Sequence, residues 1–257
     1  MLNEILIGLE TNIGQRKTQQ DAAIVSTNDQ EKNATVHKTL AVLCDGMGGM
    51  EGGEKASNLC VNTIHKDFYN GKKIPDVTQF LFDEIDKLDI EVADLCDGEG
   101  QTLKAGTTLV AVIIEDNKLY WASVGDSRLY IIRNEEILQV TKDHNYLMEL
   151  MEMVKQKRIT LEEAISNEDK EALVSYIGIG GIKYVDYNRN AFELLPGDCM
   201  VMCSDGLYRA LDDESMKQIV MASNGDMSEA AKYLVEEAMN QGNKYQDNTT
   251  VVTIKYQ

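Results

Sequence analysis

The sequence LAVLCDGMGG at positions 40–49 is an unbroken apolar run that ends in an acidic residue followed by glycine. A second run, CMVMCSDGL at positions 199–207, ends in the same way. A run that is apolar on both pleat faces predicts a strand that is buried on both sides, and ligands bind open sheets at the mouths of such strands. Asp45 and Asp205 are therefore candidates for a metal site.

Two further aspartates stand beside sequence that is typical of strands. Asp247 and Asn248 precede the β-branched run TTVVTIKY, and Asp21 opens the run DAAIV. Aspartate beside glycine or asparagine is also a common turn pair, and any one of these residues taken alone is more often part of a turn than a ligand. Four aspartates at four strand ends nevertheless predict one shared cleft.

Seven stretches of the chain carry the strongest functional signal. In order they are IGQRKTQQDA, VLCDGMGG, AGTTLVAV, WASVGDSRLY, VTKDHNYLMEL, LLPGDCMVMCSDGL and DNTTVVTIKY, and they run from Ile13 to Tyr256. Any one motif is weak, whereas seven in order make coincidence a poor explanation. Together they resemble the metal-dependent serine/threonine protein phosphatases of type 2C, the PPM family, in its bacterial form.

Local patterns predict the secondary structure. Strands are expected at 5–9, 22–27, 39–44, 107–114, 119–123, 129–133, 199–203 and 250–255. Amphipathic helices are expected around 56–68 and 77–95, and a third over 229–240, with Ser228 as its N-cap and Gly242 as its stop. Hairpin-length turns such as 115–118 favour antiparallel pairing.

These elements by themselves predict an α+β fold. The resemblance implies a four-layer αββα sandwich, in which two antiparallel β-sheets pack face to face and helices flank both. We expect residues 1–257 to form one domain.

Residues 145–181 differ in composition from the rest of the chain. They are rich in Met, Glu and Lys, Thr160 and Glu163 have the spacing of a capping box, and the glycine-rich stretch IGIGGI follows. This pattern predicts short helices and then a loop. In the resembled family this region is a flap beside the active site, which makes it the candidate for substrate choice. The alternative is that its methionines fill a core.

Composition limits the classes of partner. The chain has 43 acidic and 25 basic residues, a net charge of −18, which argues against nucleic acid or an anionic membrane as partner. The same acidity also serves solubility. The five cysteines include no CxxC pair, so neither a disulfide framework nor a thiolate zinc site is indicated. With no apolar span and no secretory signal, we expect a cytoplasmic protein.

Oxygen ligands without a His or Cys cluster select hard divalent ions, here Mn²⁺ or Mg²⁺. Two such ions about 4 Å apart share a bridging water and lower its pKa, which produces a nucleophile for in-line attack on phosphorus. The resemblance implies that Asp45 bridges both ions and that the Gly46 carbonyl binds one of them. It implies that Asp205 and Asp247 bind the other, and that Asp21 holds metal-bound waters from behind.

Further roles also come from the resemblance. Arg16 matches the phosphate-binding arginine, whose forked guanidinium suits two phosphate oxygens. Asp126, in GDSR, matches an aspartate that binds a third metal in some members, together with Asp205; the alternative is a strand turn. Asp143 and His144 match an Asp-His pair that we expect either to support the metal ligands from behind or to be structural, because His144 lacks a metal-ligand partner at useful spacing.

Two positions depart from the eukaryotic pattern. Met47 stands where eukaryotic members, which read DGHGG, have a histidine proposed as the general acid. A thioether cannot donate that proton, so water is expected to be the acid here. Gln20 stands where a glutamate often precedes Asp21. This exchange removes an acceptor for metal-bound water and predicts weaker metal affinity.

The resemblance implies an enzyme that removes phosphate from phosphoserine and phosphothreonine in proteins and opposes a bacterial serine/threonine kinase in signalling. One alternative is a non-catalytic relative that binds a phosphoprotein without hydrolysing it, although the four aspartates together favour catalysis. Another alternative is a phosphatase of a partner-switching pathway, as in sporulation or stress response. Such relatives usually carry sensor or transmembrane segments, which the sequence does not show.

Overall fold

The computed structural model describes residues 4–27, 38–69, 74–241 and 244–257. In chain order, the strands are β1 (Ile5–Asn12), β2 (Asp21–Thr27), β3 (Lys38–Met47), β4 (Gly106–Thr107), β5 (Leu109–Glu115), β6 (Lys118–Val124), β7 (Arg128–Arg133), β8 (Glu136–Gln139), β9 (Asp186–Tyr187), β10 (Phe192–Glu193), β11 (Cys199–Cys203) and β12 (Thr249–Tyr256). The helices are α1 (Gly49–Tyr69), α2 (Val77–Ala93), α3 (Tyr146–Lys155), α4 (Leu161–Ile165), α5 (Asp205–Tyr208), α6 (Asp213–Ala222) and α7 (Met227–Asn240).

The strands form two antiparallel sheets. The first has the order β1-β12-β11-β7-β8, and the second has the order β10-β6-β5-β3-β2, with β4 paired to β3 and β9 paired to β6. The hairpin at 115–118 joins β5 to β6 as predicted, with Glu115 opposite Lys118. Helices flank both sheets, so the predicted α+β sandwich is confirmed.

Strand β3 shows why the sandwich has four layers. Its Leu40, Val42 and Cys44 belong to the core between the second sheet and helices α1 and α2, whereas Ala41 and Leu43 belong to the core between the two sheets. Strand β11 alternates in the same way, with its two methionines between the sheets and its other residues against α5, α6 and α7. Burial on both faces is what the two apolar runs predicted.

Several predicted boundaries differ from the observed ones, and two of the differences have a visible physical cause. The predicted strand 107–114 is interrupted at Thr108, because its backbone N–H donates to the carbonyl of Asp45 (2.9 Å) and its hydroxyl accepts from the Asp45 N–H (2.9 Å). Helix α7 begins at Met227 rather than after Ser228, since Asp226 is the N-cap and accepts from the N–H of Glu229 at 3.0 Å. Aspartate and serine are similar N-caps, so sequence alone did not separate them. The predicted helix stop, Gly242, lies outside the described residues.

Residues 145–181 form the predicted short helices, α3 and α4, followed by irregular chain. The capping box of Thr160 and Glu163 is present. The glycine-rich stretch is fixed to α2 by one carboxylate, since Asp89 accepts hydrogen bonds from the backbone amides of residues 178, 180 and 181 at 2.7, 3.2 and 2.7 Å. Asp89 itself is buried.

All five cysteines lie in the described ranges and are free thiols, and four of them are buried. Across those same ranges, we find no helix whose length and apolar content would let it cross a membrane.

Candidate metal centre

Strand ends from both sheets border one cavity of about 680 Å³. Four of the predicted aspartates line it, namely Asp45, Asp126, Asp205 and Asp247, and Arg16 and Gly46 line it as well. Asp21 is buried directly behind, as the register partner of Asp45 in the β2–β3 pair. The structure therefore brings all of the predicted site residues into one region.

Glycine follows both Asp45 and Asp205 because another backbone passes very close. A Cβ added to Gly46 would lie 2.2 Å from the carbonyl oxygen of Gly53 in α1. A Cβ added to Gly206 would lie 2.2 Å from the carbonyl oxygen of Asn248. These approaches are shorter than any van der Waals contact, so only glycine lets the two aspartates sit against α1 and the start of β12.

Burial is the largest influence on the pKa values of Asp45, Asp205 and Asp21. Burial and then the charges of Asp21 and Asp205 raise the pKa of Asp45 well above its usual range. Burial raises the pKa of Asp205 to about 7, although Arg209 opposes the shift. Burial likewise raises the pKa of Asp21 to about 6, against the hydrogen bond from Ser204. Such a cluster favours a bound cation, because each carboxylate then keeps its charge.

Two arginines are paired with this cluster. Arg16 forms an ion pair with Asp247. Arg209 lies with its Nε 3.1 Å from Asp205 Oδ2 and its Nη2 3.3 Å from Glu171 Oε2. Among the described residues, no three His, Cys, Asp or Glu side chains are gathered closely enough to form a ready-made metal cage. Arginines therefore form ion pairs with two of the four cavity-lining aspartates.

Two buried oxygens indicate that the site suits a cation in addition to these arginines. Asp21 Oδ1 and Asp205 Oδ1 are both inaccessible to solvent and have no hydrogen-bond partner within the described part of the chain. A buried acceptor without a partner is unfavourable by about 1–3 kcal/mol, and by more when it is charged. Carboxylate oxygens are the ligands that hard divalent ions prefer, so the residues present fit Mn²⁺ or Mg²⁺.

Asp126 is on the cavity wall, but its carboxylate is engaged by the chain itself. The hydroxyl of Tyr208 donates to Asp126 Oδ2 at 3.1 Å. The guanidinium of Arg128 lies 3.5 Å from the centre of the Tyr208 ring, which holds that ring in place. No local sequence pattern predicts this contact, because Tyr208 and Asp126 lie in distant parts of the chain.

The Asp-His pair lies outside the residues that line the cavity. Asp143 binds Arg128 through both oxygens, at 2.7 and 3.0 Å. The buried Nδ1 of His144 accepts a hydrogen bond from the Gly125 N–H at 3.1 Å. Burial lowers the pKa of His144 to about 4, so the ring is neutral. Both side chains therefore bind other groups of the protein, and the role of the pair stays a prediction.

Sequence reasoning assigned Asn248 only to the start of a strand, whereas the structure gives it a second task. Its Oδ1 accepts from the Gln20 N–H at 2.8 Å, and its Nδ2 donates to the carbonyls of Ile13 (2.8 Å) and Thr18 (3.1 Å). One buried side chain therefore shapes the segment 13–20, which carries Arg16. The signal that could have found it is its place directly after Asp247.

Both departures from the eukaryotic pattern border the cavity. Gln20 and Met47 are on its wall. Met47 also borders a second cavity of about 350 Å³, together with Lys104, Tyr176 and Gly178. Residues of the segment 145–181 thus contribute to the walls of both cavities, since Glu171 and Leu173 line the first.

Comparison with known proteins gives similarity over nearly the whole chain. The model of the protein phosphatase 2C family matches residues 5–148, and that of stage II sporulation protein E matches residues 161–257. The chain is 28% identical over 222 residues to the serine/threonine phosphatase stp of Listeria welshimeri, which covers 85% of each protein.

Two solved structures share the fold. The serine/threonine phosphatase of S. agalactiae superposes with a TM-score of 0.82 at 27% identity, over 98% of this chain and 99% of the other. The catalytic domain of the serine/threonine phosphatase PstP, determined in complex with two manganese ions, superposes with a TM-score of 0.76 at 26% identity, over 99% of both chains.

Proposed function

The chain belongs to the protein phosphatase 2C family, and from this premise we propose that it hydrolyses phosphoserine and phosphothreonine esters in proteins with the help of two divalent ions, Mn²⁺ or Mg²⁺. The observation that carries the proposal is the convergence of Asp45, Asp205 and Asp247 on one cavity beside Arg16. The similarity to named serine/threonine phosphatases, one of them bound to two manganese ions, supports it.

In this proposal the carboxylates of Asp45, Asp205 and Asp247 and the carbonyl of Gly46 would hold the ions, with Asp45 as the central ligand. Bound divalent ions would supply an activated water for attack on phosphorus and positive charge for the phosphate oxygens. Asp21, fixed by a 2.7 Å hydrogen bond from the Ser204 hydroxyl, orients water from behind the ligands.

Arg16 binds the phosphate group in this proposal. Its side chain is 57% exposed at the cavity, so a phosphate can reach it from solvent. Its guanidinium offers two parallel N–H donors to two phosphate oxygens. Asn248 fixes the segment that carries Arg16, which keeps the guanidinium beside the carboxylates. Met47 has no proton to donate, so the departing alcohol takes its proton from water in the cavity.

We assign substrate choice to the segment 145–181, as a flap within a single domain of residues 1–257. The segment supplies Glu171 and Leu173 to the wall of the main cavity. A phosphoprotein whose phosphorylated residue reaches the carboxylates would therefore contact this segment with its flanking residues.

The partners that we propose are inferred from the family. A phosphatase of this specificity opposes a serine/threonine kinase in signalling, which is an analogy with the family and not a property of the site. The five free thiols suit a reducing compartment, and we place the protein in the cytoplasm on that ground. Its net charge of −18 disfavours nucleic acid and anionic membranes as partners.

The test is hydrolysis of phosphoserine, phosphothreonine and phosphotyrosine peptides by the purified protein with Mn²⁺, with Mg²⁺, and with excess EDTA. We expect turnover of the first two peptides with metal and none after chelation. The variant Asp213→Asn, which changes an exposed aspartate in the first turn of α6, is the matched control and should keep full activity. A folded protein without turnover in any metal would contradict the proposal and favour the phosphoprotein-binding alternative.

A further inference from the structure

Arg209 joins the carboxylate cluster to the segment 145–181. Its guanidinium contacts Asp205 on one side (3.1 Å) and Glu171 on the other (3.3 Å). Burial and the charge of Asp143 raise the pKa of Asp126, and the charge of Arg209 opposes that rise. A single guanidinium therefore acts on both aspartates at which the family resemblance implies a third ion.

The residue before it binds one of these two aspartates. The hydroxyl of Tyr208 donates to Asp126 at 3.1 Å, and the ring is held by the Arg128 guanidinium above it. Two successive residues of the stretch SDGLYR thus meet Asp126 and Asp205, one with a hydroxyl and the other with a cation. The carboxylates on this side of the cavity already have partners from the chain.

The guanidinium and an additional ion would compete for the same position, because both are positively charged. Two like charges about 4 Å apart repel strongly at the low effective dielectric of a partly buried site. An ion placed between Asp126 and Asp205 would therefore have to displace Arg209. Arginine keeps its charge at any physiological pH, so this displacement cannot occur by loss of a proton.

We propose that Arg209 is a tethered cation that takes the place of a third divalent ion at Asp126 and Asp205, so that this protein binds two ions and not three. The inference rests on the proposed function, because it concerns the same carboxylates. Arg209 is a positioning residue in this account: it fixes Asp205 and balances charge, and it does not contact the phosphate.

The experiment measures binding and not activity. Mn²⁺ is titrated into metal-free protein by calorimetry, and bound metal is counted by elemental analysis after equilibrium dialysis. The wild-type protein should bind two ions. Arg209→Ala should gain a third ion with an affinity at least about tenfold above any third-site binding by the wild type. Adding Asp126→Asn to this variant should remove the third ion again.

Matched variants test whether the charge or the shape of the side chain at position 209 excludes the third ion. Arg209→Lys keeps the charge and should still bind two ions, whereas Arg209→Gln should behave as Arg209→Ala and replaces it if that variant fails to fold. Arg189→Ala is the control, because Arg189 is exposed and contacts Tyr187 rather than the cavity. It should bind two ions as the wild type does.

Each contrary result has a distinct meaning. Three ions in the wild-type protein would overturn the role of Arg209 and leave the two-ion function standing. An unchanged count and affinity in folded Arg209→Ala and Arg209→Gln would overturn it as well. Fewer than two ions in the wild-type protein would overturn the proposed function itself, and the inference with it.

Discussion

Arg16 is ion-paired with Asp247 across 231 positions of sequence, so the residue proposed to bind phosphate and a residue proposed to bind metal neutralise each other. An ion bound by Asp247 competes with the guanidinium for the same carboxylate. Metal binding would therefore release Arg16 and make its donors available to a phosphate. From this shared carboxylate we expect metal to bind first and substrate second.

Replacing Arg16 should weaken substrate binding more than it slows turnover. Hydrogen bonds between charged groups contribute about 1.5–3 kcal/mol each, so Arg16→Ala should raise KM for a phosphothreonine peptide by about ten- to a hundredfold. The affinity of this variant for Mn²⁺ should not fall, because the guanidinium that competes with the ion for Asp247 is gone. Steady-state kinetics and calorimetry check both parts, with Arg189→Ala as control. A KM equal to that of the wild type would refute the phosphate role.

Asp205→Asn should abolish metal-dependent turnover and keep the fold. Loss of a residue that merely supports a metal ligand costs about 10–100-fold in activity or affinity, and loss of a ligand should exceed this. The metal-free variant should be at least as stable as the wild type, since a buried carboxylate whose pKa is raised to about 7 disappears. Asp213→Asn is the control. Wild-type turnover of para-nitrophenyl phosphate by Asp205→Asn would contradict the assignment.

Metal should stabilise the protein more at high pH than at low pH. The pKa values of Asp21 and Asp205 are raised to about 6 and about 7 in the folded chain, above their unfolded values. Their contribution to stability is thus full below about pH 4 and is lost as the pH rises through 6 and 7. Bound Mn²⁺ reverses that loss, because it needs the deprotonated carboxylates.

The measurement is the rise in Tm on adding saturating Mn²⁺. It should be larger at about pH 7.5 than at about pH 5.5, by about 5 °C or more for a protein of this size. The pKa of His144, lowered to about 4, destabilises the fold as the pH falls below about 6.5. That effect is the same with and without metal and cancels in the difference. Equal rises at both pH values would count against the carboxylate site.

Asp89 should control the order of the glycine-rich stretch. Its carboxylate accepts from three backbone amides, so Asp89→Ala removes three hydrogen bonds to a charged acceptor and should lower the free energy of unfolding by about 2 kcal/mol or more. Hydrogen exchange at residues 178–181 should accelerate, and KM for peptides should change more than KM for para-nitrophenyl phosphate. Asp86→Ala, at an exposed position of the same helix, is the control. Unchanged exchange at 178–181 would show that Asp89 does not fix this stretch.

Sequence reasoning predicted the parts of the fold that depend on local sequence patterns. The runs around Ala41 and Val201 are apolar on both faces, and this pattern alone predicted strands buried on both sides. Hairpin turns and helical stripes are equally local. The short strands β9 and β10 were missed, because two-residue strands exist only through the neighbour with which they pair.

In the site, too, local patterns were predictable and contacts between distant segments were not. Asp45 and Asp205 stand at the ends of predicted strands, so their meeting could be inferred from the sequence. The hydrogen bonds of Asn248 and the ion pair between Arg209 and Glu171 join distant segments, and no local pattern encodes them. Only the folded chain shows that Asn248 shapes the segment of Arg16, or that Arg209 stands beside Asp126 and Asp205.

The most direct test of the central claim is a crystal of this protein soaked in Mn²⁺ and measured with X-rays at the manganese absorption edge. The account predicts two anomalous peaks within bonding distance of the carboxylates of Asp45, Asp205 and Asp247, with the Arg16 guanidinium released from Asp247. Peaks elsewhere, or none beside these three carboxylates in a fully soaked crystal, would contradict the account.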